Sequence, residues 1–542
     1  MNSLAKKRAE NWLTPYFDET SQEKVRSLLQ NSKELEAAFG QNLSFGTGGL
    51  RAIMGVGTNR LNRYTIRAAT QGLATYLIQQ NNTNKPVLIG YDVRHNSKEF
   101  ALEAARVLAA NNLSILLMDE VAPTPLISFG CRHMGCSAAI VITASHNTAE
   151  YNGYKIYSSD GVQIVTPNDD EIKQHLDLVR IETVTLSPID SPLIKKIGKE
   201  LDAAYLKELK NWQLFPSEPL RIIYTPLHGT GLRIIPDALK SWGYKDIELV
   251  EAQKKADGNF THAPQPNPED PKALQLGSDQ LILSERDILI ATDPDADRIG
   301  IVIRHRKKAV LLTGNQVACI ALHHLCKTKP RRSDSAILKT IVTTELFQKI
   351  GADFGVPCIE VLTGFKYIGA KITDWERSSG SPSFLFGAEE SCGSLYGNMA
   401  RDKDAISASC LIAEIAAQAK KENKTLLDRL HELYDLYGIH RDLLVSVSVN
   451  PMEQLRKNPP SSIGSITVLS IDDFLKKTTD HPISDVLRFR LSDGSKIVIR
   501  PSGTEPKIKV YAEVVKKNIL QLDRDIQNCD NKLKLLISEL IK

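Results

Sequence analysis

Short runs of consecutive apolar residues, each one strand long and each leading into a stretch of helical period, recur through this chain and restrict it to layered α/β architecture. The stretches 86–90, 114–118 and Ala138–Ile142 are strand-like. They are separated by a helical stretch, Ser97–Ala110, and by a shorter one after Pro125. A second set begins at 221–224 and ends at 287–291. A third runs through 336–342, 358–362 and 383–386 into an Ala-rich helix over 404–421. Such alternation implies α/β layers with right-handed crossovers. Breaks fall near 215–219, at the basic stretch 304–308 and near 437–438. Beyond them, 442–449, 486–491, 496–499 and 508–514 read as strands and 518–541 as a closing amphipathic helix. At 542 residues the chain is too long for one core. The expected division is three α/β domains, 1–216, 217–311 and 312–437, and a smaller α+β domain, 438–542. No internal repeat is visible.

Composition narrows the class of partner. Hydrophobic residues at 42% and charged residues at 24% are those of a soluble globular protein, and a net charge of +4 is too small to suggest nucleic acid or membrane. The opening MNSLAKKRAENW has no apolar core of signal-peptide length, and no run approaches a membrane span. The eight cysteines contain no C-x-x-C pair, Cys131 and Cys136 lying five apart, which argues against zinc and disulfide scaffolds. Reduced, buried thiols fit a cytoplasmic protein.

Two loops after strand-like runs carry the chemistry. D-P-D-A-D-R-I at 293–299 places Asp293, Asp295 and Asp297 at alternate positions, where three carboxylates can converge on a hard cation such as magnesium. An EF-hand is excluded, because Arg298 and Arg304 stand where that loop needs Gly and Glu. A solvated acidic turn is the rival reading, and it leaves three like charges in repulsion at a buried strand's end. T-A-S-H-N at 143–147 exposes Ser145 at a sheet edge. It is not the G-x-S-x-G of a hydrolase, and two readings remain, a structural turn or a serine that carries phosphate near a cation.

G-A-E-E-S-C-G at 387–393 and R-P-S-G-T-E-P-K at 500–507 complete a pattern. With the first two loops, in this order, they resemble the four signature loops of the α-D-phosphohexomutase superfamily, the phosphoglucomutase/phosphomannomutase enzymes. Supporting matches are F-G-T-G-G-L-R-A-I-M-G from Phe45, Y-D-V-R-H-N-S from Tyr91, T-P-L-H-G-T-G from Thr225 and T-G-F-K-Y-I-G from Thr363. The resemblance spans roughly residues 40 to 515. It implies that the first three domains share one topology, with mixed sheets around a central cleft.

The resemblance also implies roles. Ser145 is carried phosphorylated, gives its phosphoryl group to a sugar monophosphate and recovers one from the resulting bisphosphate. Mg2+ is held by Asp293, Asp295, Asp297 and an oxygen on Ser145, with Arg298 orienting the moving group. Lys155 is the general base, which requires a pKa lowered by burial or cationic neighbours. His146 and Arg51 contact the phosphoserine. Glu389 and Ser391 bind sugar hydroxyls. Arg500, Ser502, Gly503, Thr504 and Lys507 hold the phosphate that is not transferred, and Lys366 contacts substrate.

Two departures stand out: Thr148 replaces a usual proline, and Cys392–Gly393 replaces a longer Met- and His-containing loop. The second favours glucose phosphates, with glucose 1,6-bisphosphate as activator, and leaves mannose or pentose phosphates as alternatives. A phosphatase with Asp293 as nucleophile is the alternative from another class, weakened because Asp297 stands where it needs Thr or Val. A non-catalytic sugar-phosphate binder is a third reading, opposed by the intact Ser145, Asp triad and candidate base. The expected state is a monomer or homodimer.

Overall fold

The computed structural model describes residues 3–43, 49–329, 332–448, 450–476, 481–502 and 507–541. Gly503, Thr504 and part of the motif that starts at Phe45 lie outside these residues. Four sheets follow one another along the chain.

The first sheet has the order Gly49–Ile53, Tyr151–Ser158, Ala138–Ile142, Val87–Tyr91, Ile115–Met118, Ile194–Ile197. Its last four strands are parallel, and the first two are joined on antiparallel. The second sheet runs Lys308–Leu312, Ile299–His305, Ile288–Thr292, Ile222–Thr225, Ile247–Leu249. The third runs Cys358–Val361, Ser335–Thr340, Ser383–Ala388, Ser394–Tyr396.

A shared unit underlies all three. Two parallel strands are laid side by side, a third joins the first strand on its other side, and a hairpin brings a fourth back antiparallel. The repeat that is invisible in the residues is therefore present in the topology. Its hairpin is the functional feature. The connection between third and fourth strands is 143–150 in the first unit, 293–298 in the second and 389–393 in the third. Each connection bends through a left-handed residue that is not glycine: Ser145 (φ 52°), Ala296 (φ 51°) and Cys392 (φ 57°). Such conformations cost about 1–2 kcal/mol each and persist where surrounding structure enforces them.

The C-terminal sheet is antiparallel throughout, Ile439–Val447, Ile508–Lys516, Lys496–Pro501, Leu487–Leu491, Ile466–Asp473 and Ser462–Ile463, covered by the helix Leu522–Ile541. It is the expected α+β arrangement.

Three differences from the sequence reading have physical reasons. The basic stretch 304–308 is no break between units but the turn of a hairpin inside the second sheet, with Arg306 and Lys307 at φ 47° and 64°. Tyr151–Ser158 is a buried strand although Asn152, Gly153 and Lys155 interrupt its apolar pattern, because both polar side chains find buried partners. Three helices, Ser3–Asn11, Glu19–Leu28 and Ser32–Phe39, precede the first sheet and close on Trp12, Phe17, Phe39 and Tyr64. Trp12 and Phe17 stack with centroids 4.5 Å apart. Among the described residues no helix is long and apolar enough to cross a membrane.

Candidate active site

The hairpin loops of the first two units meet. Ser145 Oγ donates a 2.6 Å hydrogen bond to Asp293 Oδ2, and its own carbonyl and flanking backbone are fixed from the other side. That fixing comes from Arg94, in the Y-D-V-R-H-N-S segment. One guanidinium nitrogen donates to the carbonyls of Ser145 (2.6 Å) and Asn147, the other to those of Thr148 (2.7 Å) and Tyr151 (3.0 Å). Arg94 is buried and backed by Asp92 at 3.2 Å. Thr148 is thus tied into the loop through its carbonyl.

Asp293, Asp295 and Asp297 lie together as the sequence suggests. One oxygen of each falls within 4.8 Å of the others, and all three carboxylates are buried. Asp295 Oδ1 and Asp297 Oδ1 are buried with no hydrogen-bond partner among the described residues. Orphaned carboxylate oxygens of this kind are costly, and three hard donors converging without His or Cys fit a magnesium-type cation. Burial and the neighbouring charges of Asp295 and Asp297 push the Asp293 carboxyl well above the ordinary range. For Asp295 burial acts upward too, but Lys155 and the hydrogen bonds of Asp293 and Thr124 outweigh it and hold the carboxyl below its ordinary value.

Lys155 reaches this cluster from the hairpin's return strand, Nζ lying 2.9 Å from Asp295 Oδ2 and 3.5 Å from Asp297 Oδ2. Burial alone lowers its pKa, yet Asp295, Asp297 and Asp402 more than reverse that, leaving it above the ordinary lysine value. The lowered pKa expected of a base is therefore not present while the carboxylates carry their charge. His146 Nδ1 sits 3.3 Å from Ser145 Oγ. Burial, Arg298 and Arg51 hold its pKa far below normal, so the ring is neutral. Arg51 donates to Asn147 Oδ1 at 3.0 Å, inside the serine loop. Arg298 lies 3.8 Å from both Asp297 and Glu269.

Sequence reasoning missed one cation here. Lys403 Nζ is 3.1 Å from Asp297 Oδ2 and 3.1 Å from Asp402 Oδ1. It belongs to Arg401–Asp402–Lys403–Asp404, four consecutive charged residues that are all buried. Its signal was that run of charge directly before an Ala-rich, mostly buried helix, Ala405–Lys421. Arg94 had a similar signal, charge directly after the all-buried strand Val87–Tyr91.

The third hairpin packs against the second. Cys392 O accepts the N–H of Ile299, docking this loop on the strand that follows the Asp cluster. Glu389 Oε1 accepts the N–H of Gly364 at 2.9 Å, which joins the loop to the T-G-F-K-Y-I-G segment, and Ser391 is half-buried beside it. Burial and Glu389 push Glu390 up to about 7, against the pull of Arg500. Lys366 Nζ lies 3.6 Å from Asp169 of the first unit.

In the C-terminal sheet Arg500 donates to Tyr511 Oη at 3.1 Å, while its Nε is buried with no hydrogen-bond partner among the described residues, a donor suited to an anion. Lys509 stands directly opposite Arg500 on the neighbouring strand. Ser502 N–H donates to Lys507 O at 2.7 Å, closing the loop, and the Lys507 side chain is exposed.

Comparison with known proteins agrees with this geometry. Models of the phosphoglucomutase/phosphomannomutase family match in order: alpha/beta/alpha domain I at residues 42–180, domain II at 203–307, domain III at 313–437 and the C-terminal domain at 452–522. The phosphoglucomutase of Staphylococcus aureus strain MRSA252 is 36% identical over 535 residues, covering 94% of each chain. That of strain MSSA476 is 36% identical over 90% of this chain and 92% of its own. Two solved structures share the fold. A phosphoglucomutase/phosphomannomutase family protein from Burkholderia thailandensis has a TM-score of 0.69 at 18% identity, covering 91% and 97% of the two chains. The open form of pp63/parafusin from Paramecium, a phosphoglucomutase, has a TM-score of 0.66 at 18% identity, covering 91% and 96%.

Proposed function

The chain belongs to the phosphoglucomutase/phosphomannomutase family, and from that premise we propose that it interconverts glucose 1-phosphate and glucose 6-phosphate through a phosphoserine at Ser145 and a glucose 1,6-bisphosphate intermediate. The observation that carries the reading is the 2.6 Å contact of Ser145 Oγ with Asp293 at the edge of the three-carboxylate cluster. Asp293, Asp295 and Asp297 are the residues that would hold Mg2+, with an oxygen on Ser145. Bound there, the cation supplies withdrawal of charge from the phosphoryl group.

The chain's own residues do the rest. A sugar hydroxyl attacks the phosphorus carried on Ser145, the bond from phosphorus to Ser145 Oγ breaks, and the hydroxyl proton leaves to Lys155. Lys155 accepts that proton as the free amine; while the Asp295 charge at 2.9 Å is uncompensated it stays an ammonium and cannot. Burial makes its amine available only when that carboxylate's charge is offset. The neutral His146 ring, Arg51 and Arg298 bind phosphoryl oxygens. Glu389 and Ser391 address sugar hydroxyls, and Lys366 borders the substrate. Arg500, Ser502, Gly503, Thr504 and Lys507 grip the phosphate that is not being transferred.

A phosphatase using Asp293 as nucleophile is disfavoured by that residue's bonding. Oδ1 accepts the N–H groups of Asp297 and Arg298 at 3.1 Å each, and Oδ2 accepts Ser145. Glucose is placed ahead of mannose and pentose by the short Cys392–Gly393 turn and by the activity named for the Staphylococcus relatives. We keep the domain limits 1–216, 217–311, 312–437 and 438–542, supported by one sheet in each, save that Leu312 closes the last strand of the second sheet. A cytoplasmic location remains our reading, supported by eight free cysteines, and so does a monomer or homodimer.

Incubation with glucose 1-phosphate, magnesium and a trace of glucose 1,6-bisphosphate tests the proposal. Glucose 6-phosphate is the expected product, and free phosphate or no reaction refutes it.

The same reading makes a prediction for the phosphate loop. One fixed pocket must serve both orientations of the sugar, so Arg500→Ala weakens glucose 1-phosphate and glucose 6-phosphate alike. A lost charge-assisted hydrogen bond is worth about 1.5–3 kcal/mol, which corresponds to roughly ten- to a hundredfold in affinity. Titration of both monophosphates against wild type and variant checks this, and a defect confined to one isomer contradicts it.

A further inference from the structure

The second unit holds a structure that the chemistry above does not use. Its loop 257–262 leaves the second sheet and lies against the first unit at Arg94. Phe260 is fully buried and adopts φ 51°, a left-handed conformation that an aromatic residue rarely takes. Its ring lies 4.8 Å beneath the Arg94 guanidinium. At Gly258 the two backbones nearly touch: a Cβ there would fall 2.9 Å from His95 N and 3.0 Å from Val93 O. Asn259 Oδ1 meets His95 Nε2 at 2.8 Å. The loop itself is stiff. The Asp257 carboxylate accepts the N–H groups of Asn259 (2.9 Å) and Thr261 (3.1 Å) and the Thr261 hydroxyl (2.6 Å).

The other end of this loop is tied to the metal-type cluster. His228, in T-P-L-H-G-T-G, accepts the N–H of His262 on Nε2 at 3.1 Å, and its Nδ1 contacts the Lys255 carbonyl at 2.9 Å. Both ring nitrogens are therefore committed, in one tautomer. Leu227 and His228 are consecutive left-handed residues, at φ 46° and 66°. The next residue, Gly229, presses on the Asp loop, where a Cβ would fall 2.4 Å from Pro294 Cα. Thr230 N–H donates to Pro294 O at 2.8 Å. An unbroken path of hydrogen bonds and packed rings thus runs from Pro294, between Asp293 and Asp295, through His228 and loop 257–262 to Phe260. It continues through Arg94 to the carbonyl of Ser145.

We propose that this path is a bracket that sets the serine loop against the carboxylate cluster, with Phe260 and His228 as positioning residues that touch neither substrate nor metal. Two loops from different units must hold Ser145 Oγ in line with the cluster, and the serine loop is itself in a strained conformation. Arg94 supplies the hydrogen bonds that enforce it, but a long side chain needs its own plane fixed and kept dry. The Phe260 ring does both, by a cation–π contact in a water-free setting. His228 keeps the loop that carries Phe260 at a constant distance from Pro294. The inference rests on Ser145 being the reacting residue, and it is chosen so that the two fail separately.

The test compares Phe260→Leu, which keeps apolar bulk but removes the ring, with Phe260→Tyr, which keeps the ring. Leu281→Ala, a core change in the same unit, is the control for stability alone. For Phe260→Leu the expected result is a fall in kcat of about tenfold or more with KM for glucose 1-phosphate unchanged, since a misplacement of about 1 Å costs up to a hundredfold. Phosphorylation of Ser145 by glucose 1,6-bisphosphate slows in parallel, and Phe260→Tyr restores both. Leu281→Ala lowers Tm and leaves kcat alone. Hydrogen exchange supplies a readout independent of turnover: amides of 143–151 exchange faster in Phe260→Leu than in wild type or Leu281→Ala. Unchanged exchange in that segment together with unchanged kcat overturns the bracket, as does a Phe260→Tyr variant as slow as Phe260→Leu. A wild-type protein without mutase turnover refutes the proposed function instead, and the exchange comparison then decides the bracket alone.

Discussion

Ser145→Ala protein folds as the wild type does and turns over no sugar phosphate. The hydroxyl lies at the tip of a hairpin, and its removal deletes one bond to Asp293, worth about 1.5–3 kcal/mol, while Asp293 keeps the two backbone N–H groups of Asp297 and Arg298. The fall in kcat is expected to be several orders of magnitude, because the proposed reaction passes the phosphoryl group through Ser145 in both half-reactions. A steady-state assay beside a thermal melt checks both parts. A variant that unfolds makes Ser145 structural, and one that remains active removes it from the mechanism.

Chelation produces the second large effect. Three buried carboxylates are mutually repulsive, and two of their oxygens have no hydrogen-bond partner among the described residues. Removing the cation is expected to abolish turnover and to lower Tm. Adding magnesium at a hundredfold over its Kd stabilises the folded state by about 2.7 kcal/mol. Asp295→Asn, which keeps the shape and drops one charge, loses most of both responses.

The pH dependence has a definite sign. The Asp293 carboxyl holds its proton more tightly folded than unfolded, because burial, Asp295 and Asp297 raise its pKa. The folded state therefore binds more protons above the ordinary carboxylate range, and stability falls as pH rises through that window. Glu390, at about 7, adds a fall of the same sign. A cation offsets the Asp293 share, so as pH rises above the ordinary carboxylate range the Tm of chelated protein declines more steeply than that of magnesium-loaded protein. Parallel melts in the two conditions measure the difference. Parallel slopes would mean that the cation does not bind these carboxylates.

Much of the site was legible in the residues because buried strands that end in clusters of polar side chains leave a clear trace. Asp293, Asp295 and Asp297 converge as their alternate spacing suggests, and Ser145 sits beside them. The shared topology of three units is implied by the family resemblance alone; it leaves no repeat in the residues because their hairpins carry unrelated residues, T-A-S-H-N, D-P-D-A-D-R and E-E-S-C-G, and only the left-handed turn recurs. Three other parts were not legible. Arg94 and Lys403 act through contacts with segments about fifty to a hundred residues away, which one-dimensional periodicity cannot report. The strand Tyr151–Ser158 hides behind its buried Asn152 and Lys155. The protonation of Lys155 depends on partners from two other units, so its sign was read from the role and not from the surroundings.

The most direct test of the account is the location of the phosphoryl group. Protein incubated with glucose 1,6-bisphosphate and magnesium is digested under conditions that preserve both phosphoserine and acyl phosphate, and the peptides are mapped by mass. The account predicts one phosphoryl group per chain, on Ser145, discharged when glucose 1-phosphate is added. A phosphoryl group on Asp293, or full mutase turnover with Ser145 never modified, would contradict it.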